Sequence, residues 1–75
     1  MVRVGELFRF ALKENAAAMI VAHNHPSGHP APSSADDQTT QDLKQAADLL
    51  NLVFQDHIII GSGNSYYSYA ENDKL

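Results

Sequence analysis

The stretch between His23 and Ser33 constrains the fold more than any other part of this 75-residue chain. All three prolines of the chain and one of its four glycines lie in it. Proline removes the backbone N–H that helices and central strands need, so this stretch must be a loop. It separates a continuous apolar run on its N-terminal side from an amphipathic segment on its C-terminal side.

The apolar run, residues 16–22, is typical of a central β-strand covered on both faces. After the loop, Ser33 or Ser34 caps a helix whose acidic first turn complements the helix dipole. The other elements follow from helical spacing, β-strand patterns and turn residues. The predicted order is a helix over 5–15, a strand over 16–22, a helix from 34 to about 51, a strand over 53–60, a turn over 61–64 and a hairpin strand over 65–69.

This order predicts one α/β domain over residues 1–75, with a mixed sheet flanked by helices. Two or three strands and two helices cover a sheet poorly, and the apolar strand needs neighbours on both sides. We therefore expect the domain to be incomplete at its N-terminus. Either it begins upstream of Met1, or a second copy of the chain completes the sheet as a homo-oligomer.

Composition excludes several classes of function. The net charge is −4, and the five Lys and Arg residues form no cluster, so direct nucleic-acid binding is not expected. No segment approaches the roughly 20 apolar residues of a membrane span, and no signal core is evident, which predicts a cytoplasmic protein. The chain has no cysteine, so a metal would be held by His, Asp, Glu or water.

Three potential metal ligands flank the loop. His23 and His25 are two residues apart at a strand end, so their rings project to the same side. Asp36 lies in the first turn of the following helix, which the loop can fold back over the strand end. Two His, one Asp and one open position make a catalytic type of zinc site. Ser33 and Asp36 also match a capping box, which needs no metal, and the loop could be an ordinary surface connection.

These residues resemble a known family. His23, His25, Pro26, Ser33 and Asp36 have the spacing of the motif in JAMM (MPN-plus) metallopeptidases. The string Ala-His-Asn-His-Pro-Ser-Gly, the later Asp-His and the closing Tyr-Ser-Tyr-Ala-Glu look like the RadC branch in particular. The resemblance covers essentially the whole chain, but only about the C-terminal half of a RadC-like protein. It implies the JAMM/MPN architecture, which is similar to that of cytidine deaminases.

The resemblance also implies roles. His23, His25 and Asp36 would hold Zn²⁺, and Ser33 would act near the reacting water or the oxyanion. A glutamate on an upstream strand would be the general base, and neither Glu6 nor Glu14 matches its position. The substrate would be a peptide or protein, cleaved at a peptide or isopeptide bond. RadC-like proteins carry a DNA-repair label for which the resemblance supplies no mechanism.

Two other classes of function compete with this one. A zinc nucleobase deaminase needs Cys-x-x-Cys and His-x-Glu, and the chain has neither. A non-catalytic interaction module, or a remnant of the fold, agrees with the unmatched glutamate.

Among the remaining residues, His29 is expected to be exposed, with a ligand role as the lesser alternative. His57 is expected in the core, with contact to the site as the lesser alternative. Three tyrosines are expected to pack across the hairpin: Tyr66, Tyr67 and Tyr69.

Overall fold

A mixed three-stranded sheet carries two helices, as the sequence predicts. The structure is a computed structural model that describes residues 4–75, so the first three residues of the predicted domain lie outside the described part. The strands are ordered β1-β2-β3, with β1 and β2 parallel and β2 and β3 antiparallel. The elements in chain order are α1 Val4–Lys13, β1 Ala18–Asn24, α2 Ser34–Leu49, β2 Val53–Ile60 and β3 Tyr66–Ser68.

Both helices end at an asparagine with left-handed backbone. Asn15 has a φ of 56° and Asn51 a φ of 60°. The following residue closes each helix, with Ala16 N donating to Ala11 O and Leu52 N donating to Ala47 O, both at 2.9 Å. Asparagine tolerates this conformation better than most residues, so it is a natural helix stop. The predicted helix ends are therefore confirmed to within two residues.

The core lies between the two helices and one face of the sheet. Leu43 of α2 is completely buried at its centre. The core joins both helices, β1 and the turn before β2, and its buried members are Phe8, Ala11, Val21, Leu43, Ala47 and Leu52. Burying a large apolar side chain such as Leu43 contributes roughly 1.5–3 kcal/mol to folding, and an alanine contributes less.

The prediction that the first strand is central requires a neighbour on each side, and residues 4–75 supply one of the two. β1 lies at an edge of the sheet, because β2 is its only partner among residues 4–75. Val21 is buried, but Ile20 is 56% exposed and Ala18 and Ala22 are exposed as well. The apolar pattern reflects one covered face and one face that no described residue covers.

A register shift decides which side chains of β2 face the functional site. Met19 pairs with Phe54 and Ile20 pairs with Asp56, so Gln55 is an extra residue in β2. Val21 then pairs with His57 and His23 with Ile59. Because one extra residue moves every later side chain to the opposite face, the bulge turns His57 to the face that carries His23.

Candidate metal centre

Two histidines converge at the C-terminal end of β1. His23 is the penultimate residue of the strand, and His25 N donates to Ile60 O at 3.1 Å, which continues the pairing with β2 past the strand end. The extended backbone therefore sends both rings to one side, as the spacing predicts. Their centroids are 5.2 Å apart, and their side chains keep 24% and 20% exposure.

Asp36 reaches both rings from the first turn of α2. Its Oδ1 lies 3.2 Å from His23 Nε2 and its Oδ2 lies 3.0 Å from His25 Nε2. The capping box holds the carboxylate there: Oδ2 accepts from Ser33 N at 2.8 Å, while Ser33 Oγ accepts from Asp36 N at 3.1 Å. Ser33 Oγ also donates to Oδ2 at 2.9 Å. Capping and convergence on the histidines are therefore properties of the same side chain.

The geometry of the three groups fits a small cation. One potential ligand atom from each of His23, His25 and Asp36 lies within 4.8 Å of the others. Two imidazole nitrogens and one carboxylate oxygen are donors that zinc accepts. They border a cleft of about 390 Å³, which leaves room for a further ligand or a substrate. The residues that line this cleft are His23, Asn24, His25, Pro26, Ala35, Asp36 and Thr39.

Hydrogen bonds fix which nitrogen of His25 faces the cluster. His25 Nδ1 lies 2.9 Å from His29 O. A carbonyl oxygen only accepts, so Nδ1 must carry the hydrogen. In the protonated ring Nε2 donates to Asp36 Oδ2 at 3.0 Å, and in the neutral ring it presents a lone pair beside the carboxylate. The neutral ring therefore offers Nε2 and the carboxylate together to a metal ion.

The charge of Asp36 is favoured by its surroundings. Burial acts most strongly and would by itself raise the pKa of this carboxyl. The hydrogen bonds from the backbone and side chain of Ser33, together with His25 and His23, outweigh it, so the pKa of Asp36 is lowered. Asp36 is therefore an anion near neutral pH, as a metal ligand must be.

His57 contacts His23 on the side of its ring that faces away from Asp36. It is completely buried, and its Nε2 lies 3.0 Å from His23 Nδ1. Burial, followed by the proximity of His23, lowers the pKa of His57, which favours the neutral ring. The expected core position is confirmed, and so is the contact with the site that was the lesser alternative.

Thr40, which is hydrogen-bonded to His57 Nδ1 at 2.6 Å, was not identified from the sequence. It lies one helical turn after Asp36 and on the same face, a spacing that could have revealed it.

The loop between the histidines and α2 packs against the turn after β2 and is hydrogen-bonded to it. Gly28 has a φ of 84° and its N–H donates to His25 O at 2.9 Å. Its carbonyl accepts from Ser62 N at 2.9 Å. Gly61 lies so close that a Cβ there would come within 2.6 Å of Gly28 O. The two glycines therefore allow a backbone contact that seats the histidine loop.

The remaining candidates lie outside the cluster. The His29 ring is exposed as expected, and only its carbonyl supports the site. Tyr69 is buried, stacks on His57 at 5.1 Å and contacts Tyr67 edge-on, whereas Tyr66 is exposed and donates to Glu71. Glu6 and Glu14 are exposed and do not line the cleft beside the histidines.

The fold and the cluster together define a small α/β domain with a candidate His-His-Asp metal centre, consistent with the JAB/MPN-like architecture. The family of RadC-like JAB domains matches residues 1–75, so the chain belongs to that family. Among residues 4–75, no helix has both the length and the apolar content that crossing a bilayer requires.

Curated relatives carry the name UPF0758. Proteins from Streptococcus gordonii and Pasteurella multocida are 46% and 51% identical over 70 residues, which is 93% of this chain. A relative from Haemophilus ducreyi is 56% identical over 66 residues, or 88% of the chain. The chain spans about 30% of the length of these relatives.

Proposed function

We propose that this chain is the metal-binding segment of a zinc-dependent hydrolase domain that cleaves peptide or isopeptide bonds. The observation that carries the proposal is that one potential ligand atom from each of His23, His25 and Asp36 lies within 4.8 Å of the others. Both Nε2 atoms face the carboxylate of Asp36, at 3.2 and 3.0 Å. Membership of the RadC-like JAB family supports it.

The ligand atoms suit a metal ion. His25 Nδ1 is committed to a carbonyl, so in the neutral ring Nε2 presents a lone pair beside the carboxylate of Asp36 at 3.0 Å. A divalent cation would bind both atoms, whereas a structural ion pair needs the ring to be protonated. When bound in a site with an open position, zinc lowers the pKa of a water to about 7 and polarises a substrate carbonyl.

The residues around the cluster have separate tasks in this proposal. His23, His25 and Asp36 bind the ion. Ser33 orients Asp36 through its backbone N–H at 2.8 Å and its hydroxyl at 2.9 Å. The hydroxyl would have to release Asp36 and rotate before it donates to the negative charge that develops on the substrate oxygen, and the backbone N–H would then hold Asp36 alone. We assign the general base to a glutamate of the longer protein, because the matched relatives extend far beyond the aligned segment.

Metal content tests the first half of the proposal. The chain is purified without chelator and its zinc is measured by elemental analysis, beside the variants His23→Ala and His25→Ala. We expect one zinc per chain in the parent and loss in both variants. His29→Ala is the matched control, because its exposed ring is removed while the carbonyl that holds His25 remains. Equal zinc in all four proteins would overturn the ligand assignment.

Hydrolysis tests the second half and needs the full-length protein. Peptide and isopeptide substrates are incubated with that protein before and after chelation, and after zinc is restored. We expect turnover that chelation removes and zinc restores, and that His23→Ala abolishes. Turnover that survives both treatments would disprove zinc-dependent hydrolysis.

A non-catalytic metal-binding module is the second candidate. It is favoured by one observation, that no glutamate lines the cleft among residues 4–75. Zinc binding with no turnover of any amide substrate by the full-length protein would support it.

A further inference from the structure

A chain of three hydrogen bonds, two of them buried and the last part-buried, leads from the backbone of Asp36 to the ring of His23. Thr40 Oγ1 donates to Asp36 O at 2.9 Å, and His57 Nδ1 lies 2.6 Å from the same oxygen of Thr40. His57 Nε2 lies 3.0 Å from His23 Nδ1. His57 is completely buried and Thr40 is 3% exposed, so water does not compete for the two bonds that Thr40 makes.

The hydrogens along this chain run in one direction. Asp36 O only accepts, so it takes the single hydrogen of the Thr40 hydroxyl. The bond between Thr40 and His57 must then use a hydrogen on His57 Nδ1. A His23 that presents its Nε2 lone pair to a cation carries its hydrogen on Nδ1, and this hydrogen needs the Nε2 lone pair of His57 as acceptor.

We propose that His57, oriented by Thr40, is a positioning residue that holds the ring of His23 with its Nε2 lone pair turned towards Asp36. The hydrogen-bonded path begins at the carbonyl of Asp36 and ends 3.2 Å from its carboxylate, so it ties two of the three cluster residues to each other. This inference rests on the metal site proposed above. It assigns a role to two residues that contribute no atom to the cluster of potential ligands.

A packing role for His57 is the competing explanation. Its ring lies parallel to that of Tyr69, with centroids 5.1 Å apart and an interplanar angle of 4°. Phenylalanine would preserve this stacking and remove the acceptor for His23. Glutamine would sacrifice the stacking and keep an acceptor, because its amide oxygen can reach the position of the imidazole Nε2. The two substitutions therefore separate packing from positioning.

The test compares zinc affinity, measured by competition with a chromophoric chelator, in His57→Phe and His57→Gln. We expect His57→Phe to weaken zinc binding by about 10- to 100-fold, the usual cost of losing a partner that orients a metal-binding histidine. His57→Gln should recover most of this loss. Thr40→Val should weaken binding in the same direction, and Thr40→Ser, which keeps the hydroxyl, should match the parent.

A second readout needs no variant. Long-range proton–nitrogen NMR correlations of the zinc-loaded parent report which nitrogen of His57 carries the hydrogen. We expect the Nδ1–H form, which leaves Nε2 of His57 as the acceptor for His23. Finding the Nε2–H form of His57 would overturn the inference even if His57→Phe fails to fold.

The outcomes distinguish this inference from the function on which it rests. A parent that binds zinc, with His57→Phe binding it equally tightly, would disprove the positioning role and leave the metal site intact. A parent that binds no zinc would disprove the metal site, and the tautomer of His57 would still decide the direction of the hydrogen-bonded chain.

Discussion

The contact between Gly61 and the histidine loop predicts that Gly61→Ala damages a site to which it contributes no side chain. A Cβ at Gly61 would lie 2.5 Å from Ser65 Oγ, 2.6 Å from Gly28 O and 2.9 Å from Pro30 Cδ. A real Cβ essentially never comes closer than 3.0 Å, so the rotatable Ser65 hydroxyl could move aside, but Gly28 O would have to retreat by about 0.4 Å. Gly28 is hydrogen-bonded to His25, so the shift reaches a proposed ligand.

The magnitude follows from overpacking and from the tolerance of a metal site. Forcing one carbon into a packed contact costs about 1–3 kcal/mol. A loss of about 2 kcal/mol would lower the Tm of a domain of this size by roughly 8–16 °C. Metal and catalytic groups must be held within about 0.5 Å, so a displacement of similar size should weaken zinc binding about tenfold or more.

Thermal unfolding of the metal-free protein and chelator competition are the assays. Gly63→Ala is the matched control, because Gly63 lies in the same turn with a φ of 62° and no atom within 4 Å of an added Cβ. Because Gly63 has a left-handed backbone, alanine there lowers the free energy of unfolding by roughly 1–2 kcal/mol. The Gly63→Ala variant therefore loses stability without contacting the histidine loop. The reasoning is refuted if Gly61→Ala keeps the zinc affinity of the parent. It is also refuted if Gly63→Ala loses as much zinc affinity as Gly61→Ala does.

Three further predictions concern stability. Leu43→Ala removes a completely buried side chain and should cost about 2.7–5.0 kcal/mol in urea unfolding, whereas Leu49→Ala on the same helix, 87% exposed, should cost little. Ser33→Ala removes the cap of α2 and should cost about 1 kcal/mol, Ser33→Gly only a few tenths, and a reversed order in thermal unfolding would contradict a capping role. Burial and the hydrogen bond to Asp37 raise the pKa of Tyr69, so its stabilisation is complete below the unfolded value of about 10 and is lost as the pH rises further. The Tm of the parent should therefore fall more steeply above pH ~10 than that of Tyr69→Phe, and parallel profiles would exclude this contribution.

Local rules predicted most of the elements and the principal cluster. Asn15 and Asn51 end helices because of a local backbone preference, and the His-x-His spacing converges because strand side chains alternate. Asp36 was placed by the capping pattern at the start of α2. Each of these properties depends on neighbours close in sequence, so a sequence pattern is enough to predict it.

The environment of the first strand and the position of His57 depend on longer-range structure. An apolar run predicts burial but does not identify which segment supplies it, so the exposed face around Ile20 could not be predicted from this chain. His57 faces the site only because Gln55 is inserted in the register of β2. Without that bulge, alternation would turn His57 to the opposite face, and nothing in the sequence of β2 marks the insertion.

The capping box and the proposed metal site are compatible because a carboxylate has two oxygens with about four acceptor positions. Oδ2 of Asp36 accepts from the backbone and hydroxyl of Ser33, while Oδ1 stays close to His23 and has no hydrogen bond from the cap. The cap therefore fixes the orientation of the side chain and leaves one oxygen for a ligand role. It also offsets the burial that would otherwise favour the protonated acid. A pattern that by itself indicates only a helix start thus holds an anionic donor in place at the end of the histidine strand.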